Sequence, residues 1–151
     1  MTDARLPLGC DLIIASERAR FSEIFSKRGL VVDFGGSWVL PRLVGMHRAK
    51  ELVLLADVID ATEAERIGLV NRVVPHDRLG EETRELAQRL AHLPPLALAL
   101  SKRLLDQAPT MSMAEAIESE NAAQALVATS RDTAEAVLAF LENREPNYTG
   151  E

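Results

Sequence analysis

The chain has 151 residues, of which 47% are apolar and 4% aromatic, and 17 Lys and Arg against 23 Asp and Glu give a net charge of −6. This composition is typical of one soluble globular domain, and the acidic balance with few aromatic rings argues against nucleic acid as a partner. Cys10 is the one cysteine, which excludes an internal disulfide and a zinc site of several thiolates and favours the cytoplasm. No apolar run approaches the roughly 20 residues of a membrane span. We therefore expect no metal and no membrane partner.

The first half of the sequence predicts short strands and helices in alternation. Residues 10–15 are a β-branched apolar run that predicts a buried strand, with Cys10 as a small core residue. Residues 21–28 predict one or two turns of helix, and residues 29–36 a loop interrupted by glycines. Residues 37–44 predict a helix that tolerates Pro41 near its first turn.

The middle of the chain contains the clearest helical periodicity. Within residues 46–56 the apolar side chains recur at Ala49, Leu52, Val53 and Ala56, which is the stripe of a helix with one buried face. Thr62, followed three residues later by a glutamate, predicts a capping box and a short helix that ends near residue 68. Residues 70–74 predict a second strand.

From residue 75 onward the sequence is predicted to be almost entirely helical. A proline and an aspartate at 75 and 77 begin a long helix to about residue 93, and two prolines separate it from a helix over 96–107. Ser112 with Glu115 forms a second predicted capping box, which leads a helix to about residue 128. The last helix is predicted over residues 130–143.

General motifs of catalysis are few. There is no Gly-rich phosphate-binding loop, and residues 35–39 resemble a hydrolase nucleophile elbow except that Val39 replaces its second glycine. The three histidines, His47, His76 and His92, fall in separate predicted helices without the spacing of a metal pair. These patterns favour neither a hydrolase nor a metalloenzyme.

Asp33 is the residue that the sequence itself singles out. It lies among valines and a phenylalanine, just before Gly35 and Gly36. An acid in apolar company is held nearer neutrality and can pass protons to and from carbon. The alternative is that Asp33 only caps the turn into the following helix. The start of that helix would favour a developing oxyanion.

Several blocks, taken in order, resemble the enoyl-CoA hydratase/isomerase (crotonase) superfamily. The similar segments are residues 10–15, 19–21, 29–38, 40–45, 49–52, 61–71, 130–135 and 139–146. The resemblance covers nearly the whole chain from about Leu8, and it is to the C-terminal half of the family only, because a full member carries most of its spiral sheet ahead of the first of these segments.

The resemblance implies a truncated α/β crotonase-like spiral fold, with a few short strands followed by a mainly helical C-terminal region. Residues 1–75 would be the residual part of the spiral core, and residues 76–151 a helical trimerisation region. Family members act on acyl-CoA thioesters, so coenzyme A would enter as part of the substrate, with no other cofactor. A homotrimer or hexamer is implied.

The resemblance also implies site residues. Hydratases of the family carry an oxyanion glycine and two glutamates, and this chain has Thr2, Arg5 and Phe25 in those places. Isomerases of the family carry a catalytic aspartate where this chain has Asp33. The substrate-binding residues implied are Phe25, Phe34 and Trp38, together with Phe140 and Arg144 for a neighbouring subunit's coenzyme A.

Two functions remain open at the level of the sequence. The first is proton transfer on an acyl-CoA thioester through an enolate intermediate, with Asp33 as the acid/base group. The alternative is a catalytically inactive truncated fragment that acts as an oligomerising or partner-dependent module. A separate chain that supplies the missing half is a third possibility.

Overall fold

The computed structural model describes residues 9–151. The chain divides into two compact units, the first reaching Arg84 and the second covering residues 85–151. Within the part described, no helix combines the length and the apolar character needed to cross a membrane. The resemblance predicts a different division, into a spiral-core part over residues 1–75 and a trimerisation region over residues 76–151. That division stays a prediction.

Two small sheets organise the first unit. Strand β1 (Ile14–Ser16) pairs in parallel with β4 (Arg72–Val74). Strand β2 (Arg20–Phe21) pairs antiparallel with β3 (Ile59–Asp60). The second predicted strand, over residues 70–74, is therefore confirmed at β4.

The start of the chain differs from the sequence prediction in two ways. The strand begins at Ile14 rather than at residue 10, and Cys10 is exposed in a bend instead of lying in the core. The predicted helix over 21–28 is replaced by the end of β2 and a single 3₁₀ turn, Ser26–Arg28. The physical reason is tertiary, because the backbone of Phe21 pairs with β3, a partner that local propensity does not reveal.

Helices α1 (Gly36–Val44) and α2 (Met46–Leu55) confirm the helices predicted in this region, with Pro41 inside α1. Between them Gly45 has a φ of 77°, a backbone conformation that glycine adopts without cost. Leu40 of α1 is 1% exposed and belongs to the main buried cluster. The other buried members of that cluster are Ala15, Phe21, Ala49, Leu52, Ala64, Leu69 and Val70.

Helix α3 (Ala61–Arg66) begins earlier than predicted. Its N-cap is Asp60, whose carboxylate accepts a hydrogen bond from the Glu63 amide at 2.8 Å, and not Thr62. Ala61 and Ala64 are fully buried. Because residues three apart share a helix face, the helix must include Ala61 to place both alanines inward, and this requirement moves the cap to Asp60.

The remaining helices follow the predicted order closely. They are α4 (Leu79–Ala91), α5 (Pro95–Gln107), α6 (Met113–Val127) and α7 (Arg131–Glu142). Short 3₁₀ turns, His76–Arg78 and Ala108–Thr110, precede α4 and follow α5. The predicted capping box of Ser112 and Glu115 is confirmed, with the Ser112 amide donating to the Glu115 carboxylate at 2.7 Å.

The segment after α7 is tied back to that helix by a buried carboxylate. Asp132 is 3% exposed and accepts hydrogen bonds from the backbone amides of Thr149 at 2.7 Å and Gly150 at 3.0 Å. Asn143, with a φ of 52°, ends the helix in the left-handed conformation. These hydrogen bonds hold the short C-terminal tail against α7.

Candidate functional site

The segment between the 3₁₀ turn and α1, residues 29–36, has an unusual backbone. Phe34 has a φ of 54° and Gly35 a φ of 78°, so two successive residues are left-handed. Glycine adopts this conformation freely, whereas a bulky residue such as phenylalanine does so at a cost. The Gly36 amide donates to the Asp33 carbonyl at 2.9 Å. The geometry sharply reverses the chain direction just before α1.

Gly35 and Gly36 are each required in this segment for a different physical reason. Gly35 is the N-cap of α1 and needs its left-handed backbone. Gly36 needs space, because a Cβ atom there would lie 2.7 Å from Cγ2 of Val32. The close approach of Val32 to the first residue of α1 therefore holds the segment against the helix.

Asp33 is exposed to solvent. The sequence predicted an apolar enclosure around its carboxyl group, and within residues 9–151 that enclosure does not form. The reason is the direction of the side chains, since Val32 is half-buried against Gly36 while Val31 and Asp33 on either side are exposed. The N-cap position itself is occupied by Gly35, two residues after Asp33, so the alternative that Asp33 caps this turn stays a prediction.

Apolar side chains surround Asp33 in the sequence and are themselves exposed. Phe34 is 76% and Trp38 49% exposed, and Leu30 and Val31 are exposed as well. The guanidinium carbon of Arg42 lies 3.7 Å from the centroid of the Trp38 ring, and Arg42 also donates to the Trp38 carbonyl at 2.8 Å. This cation–π contact fixes the orientation of the indole.

An open cleft of about 150 Å³ lies next to this segment, between α1 and α2. Val32 and Gly36 form one side of it, and Val53 and Leu54 of α2 lie in its wall. Lys50 is the cation among the residues that line it. No local sequence pattern predicts this cleft, although the helical stripe through Ala49 and Val53 predicts the wall that α2 forms.

Phe25 has a different environment from the other aromatic candidates. Its side chain is 8% exposed and belongs to the core. Its carbonyl accepts a hydrogen bond from the Leu30 amide at 3.0 Å, and from the Arg28 amide at 2.8 Å. Phe25 therefore anchors the start of the segment from the inside.

Phe140 and Arg144 belong to the second unit and are described there alone. Phe140, on α7, is 81% exposed. The Arg144 guanidinium donates to both carboxylate oxygens of Glu135, at 2.6 and 2.9 Å, and to Glu142 at 2.6 Å. The Asn147 amide also donates to the Glu135 carboxylate. The hydrogen bonds from Arg144, and secondly the one from the Asn147 amide, lower the pKa of Glu135 to about 2. Glu135 and Glu142 raise the pKa of Arg144.

The Ser16 hydroxyl and Nδ1 of His76 lie 3.0 Å apart, a contact that joins the end of β1 to the turn after β4. Across residues 9–151 no three His, Cys, Asp or Glu side chains come together in a metal-binding group. Thr2 and Arg5, which stand at positions where the family carries functional residues, lie outside the described residues.

The sequence matches the model of the family described as enoyl-CoA hydratase/isomerase over residues 4–151. It is 39% identical over 147 residues to 1,2-epoxyphenylacetyl-CoA isomerase of Escherichia coli K12, covering 97% of this chain and 56% of that protein. It is 38% identical over 135 residues to the short-chain-enoyl-CoA hydratase of Clostridioides difficile, covering 89% of this chain and 87% of that protein. The chain thus spans little more than half of the E. coli relative.

Solved structures give the same result. The enoyl-CoA hydratase of Bacillus anthracis superposes with a TM-score of 0.95 at 35% identity, covering 98% of this chain and 57% of that one. The enoyl-CoA hydratase/isomerase of Cupriavidus metallidurans superposes with a TM-score of 0.91 at 37% identity, covering 97% and 56%. These superpositions confirm the predicted crotonase-like α/β fold, mainly helical with a few strands. The chain belongs to the enoyl-CoA hydratase/isomerase family.

Proposed function

We propose that this chain contributes the acid/base group of an isomerase-type reaction on an acyl-CoA thioester, with Asp33 in that role. The observation that carries the proposal is the position of Asp33 on a segment fixed by two left-handed residues, beside a cleft that Val32 and Gly36 line. The E. coli relative, an isomerase of an acyl-CoA ester, supports this reaction type. Arg5 and Phe25 in place of hydratase glutamates support it too.

The proposed step transfers one proton and consumes no cofactor. The Asp33 carboxylate accepts a proton from a carbon near the thioester, and the electron pair of that C–H bond moves into the thioester carbonyl to form an enolate. The neutral Asp33 then returns the proton to a second carbon as the enolate collapses, so the double bond moves and the composition is unchanged. Coenzyme A takes part only as the carrier of the acyl group.

Substrate contacts follow from exposure and chemistry. Phe34 and Trp38 offer apolar surface to the acyl group, while Phe25 acts indirectly by anchoring the segment. Phe140 and Arg144 are proposed to contact the coenzyme A part on a neighbouring copy in a homotrimer or hexamer. For a bidentate contact Arg144 must exchange a Glu135 oxygen for a phosphate oxygen, since both Nη1 and Nη2 donate to Glu135 in this structure. A cytoplasmic role in fatty acid metabolism fits such substrates.

A second candidate function rests on a specific pair of observations. Asp33 is exposed, and the chain spans 56% of its E. coli relative. A chain with this coverage and an exposed Asp33 would then act as an inactive oligomerising or partner-dependent module. The two candidates differ in whether the purified chain turns over an acyl-CoA ester.

Isomerisation of a 3-enoyl-CoA and of a cyclic enoyl-CoA, with solvent deuterium incorporation followed by mass spectrometry, tests both candidates. We expect Asp33→Asn to lower the rate by about 10²–10⁴, the usual contribution of a positioned acid/base group. The matched control is Asp57→Asn, which removes the same charge from an exposed aspartate that pairs with Lys27 at 2.8 Å. Equal rates for Asp33→Asn and the parent would refute the role of Asp33, and no turnover by the parent chain supports the module.

A further inference from the structure

The cleft between α1 and α2 is lined by apolar side chains and a single charge. Leu40, which is 1% exposed, and Ala49, which is 5% exposed, are buried members of the lining, while Leu54 is 68% exposed. Among the residues of the described chain, 9–151, that line the cleft, Lys50 is the one ionisable side chain, and none is a carboxylate. The cleft therefore combines an apolar surface with one positive charge.

The ammonium group of Lys50 is available to a ligand. Lys50 is exposed, and within residues 9–151 its ammonium pairs with no carboxylate. The adjacent carboxylate, that of Glu51, is engaged by the Arg48 guanidinium, three positions earlier on α2. Lysine carries its charge on a flexible four-carbon stem, whose methylene groups lie along apolar surface while the charged end reaches outward. Lys50 can therefore meet an anionic group at the cleft without giving up an existing ion pair.

The cleft lies on a different face of α1 from the surface proposed for the acyl group. The α1 residues that line it are Gly36, Ser37, Leu40 and Pro41. At about 100° per residue these four positions fall within an arc of about 140°, and Trp38 lies about 130° from the centre of that arc. Trp38 and Phe34 are not among the lining residues, and neither is Asp33. A ligand in the cleft therefore has its own contacts, separate from those of the candidate acid/base group.

We propose that the α1–α2 cleft binds a free single-chain carboxylate of about six carbons, with its chain against Leu40 and Ala49 and its carboxylate paired with Lys50. Charge selects the class of ligand, because a lone cation beside apolar walls is complementary to an anion on an apolar chain. Volume sets the length, since an apolar cavity of about 150 Å³ holds a six-carbon molecule the size of benzene.

The same volume distinguishes this ligand from a macromolecule. The cleft admits one narrow chain, whereas a stable interface between two proteins buries about 1,200–2,000 Å². A second copy of the chain and a phospholipid surface are therefore alternatives that the experiments must separate from a free carboxylate. The proposal goes beyond the proposed function and does not depend on Asp33.

The first measurement is titration of the full chain with butanoate, pentanoate, hexanoate and octanoate, followed by the NMR shifts of the backbone amides. We expect saturable shifts at Ala49 and Val53, and an affinity that rises about 2–4-fold for each added methylene group until the cleft is full near six carbons. Absence of saturable shifts with hexanoate would overturn the proposal. An affinity independent of chain length would show an adventitious anion only and would also overturn it.

The second measurement tests the charge. Lys50→Met should weaken hexanoate binding about 1.5–5-fold, the usual range for an exposed ion pair, and should leave the binding of hexan-1-ol unchanged. Lys50→Arg should keep the affinity for hexanoate. The matched control is Lys27→Met, because Lys27 pairs with Asp57 at 2.8 Å and does not line the cleft. Equal hexanoate affinities for Lys50→Met and the parent would refute the role of Lys50.

The third measurement tests the apolar wall with two neighbouring leucines. Leu54 lines the cleft and is 68% exposed, whereas Leu55 does not line it and is 55% exposed, so the fold should tolerate serine at both positions. Leu54→Ser should weaken hexanoate binding at least about 3-fold, and Leu55→Ser should bind like the parent. Equal effects of the two variants would overturn the proposal. Asp33→Asn should bind hexanoate normally, which separates this site from the catalytic proposal.

Two controls identify a different occupant. Shifts at Ala49 and Val53 that appear when the concentration of the chain alone is raised would assign the cleft to a second copy. Binding to vesicles of anionic phospholipid without binding of free hexanoate would assign it to a membrane surface. Either result would overturn the proposal, and a cleft that responds to hexanoate but to neither of these conditions supports it.

Discussion

Replacing Gly36 by alanine tests the packing that holds the candidate site in place. The new Cβ would lie 2.7 Å from Cγ2 of Val32, which is closer than Cβ atoms approach their neighbours in real structures. Val32 is the residue that must move, and it lines the α1–α2 cleft. Overpacking of this kind costs about 1–3 kcal/mol of unfolding free energy. We therefore expect Gly36→Ala to be destabilised by that amount.

The measurement is urea unfolding followed by the fluorescence of Trp38, the one tryptophan of the chain, two residues along α1. A second glycine provides the control, because a Cβ on Gly80 in α4 would meet no atom within 4 Å and its φ is not left-handed. Gly80→Ala should keep or raise stability, by up to about 1 kcal/mol of helix propensity.

A double-mutant cycle identifies the cause of the loss. Val32→Ala removes the methyl group that Gly36→Ala would meet, so the combined variant should be more stable than the sum of the single effects predicts. Residues in direct contact typically show coupling of about 0.5–3 kcal/mol. Additive effects within about 0.3 kcal/mol, or a Gly36→Ala variant as stable as Gly80→Ala, would refute the packing argument.

Three further predictions concern strain, the tail and pH. Phe34→Gly should be more stable than Phe34→Ala by about 1 kcal/mol in urea unfolding, because alanine keeps the cost of a φ near 54° and glycine removes it. Asp132→Ala should cost about 1.5–3 kcal/mol by circular dichroism, since the buried carboxylate accepts two backbone hydrogen bonds of the tail, and Asp132→Asn should cost less. The pKa of Glu135, lowered to about 2 by Arg144, predicts stability that is fully present above the ordinary pKa of about 4.5 and is lost as pH falls from there through 2; Glu135→Gln should flatten that part of an acid titration.

Structure that local chemistry specifies was predictable from the sequence. The Ser112 capping box is complete within four residues, and the structure has both of its hydrogen bonds. The helices α1 and α2 follow from local glycines and an apolar stripe in the same way. Each of these signals lies within a few residues of the structure that it predicts.

Burial was not predictable in the same way. Cys10 begins a largely apolar run and Asp33 lies between Val32 and Phe34, and both Cys10 and Asp33 are exposed. Phe21 is 9% exposed because β2 pairs with β3 nearly forty positions along the chain. A neighbour in sequence does not determine which side of a segment faces the core. The side is chosen by contacts such as that of Val32 with Gly36, which only the folded chain reveals.

The exposure of Asp33 sets a physical requirement on the catalytic proposal. A carboxylate takes a proton from carbon efficiently only where bulk water is excluded and its position is fixed. Within residues 9–151 the segment's backbone supplies the fixed position, but Phe34 at 76% and Trp38 at 49% exposure leave the site open to water. The catalytic proposal therefore requires that the bound acyl group cover Phe34 and Trp38 and so exclude water from the Asp33 carboxylate.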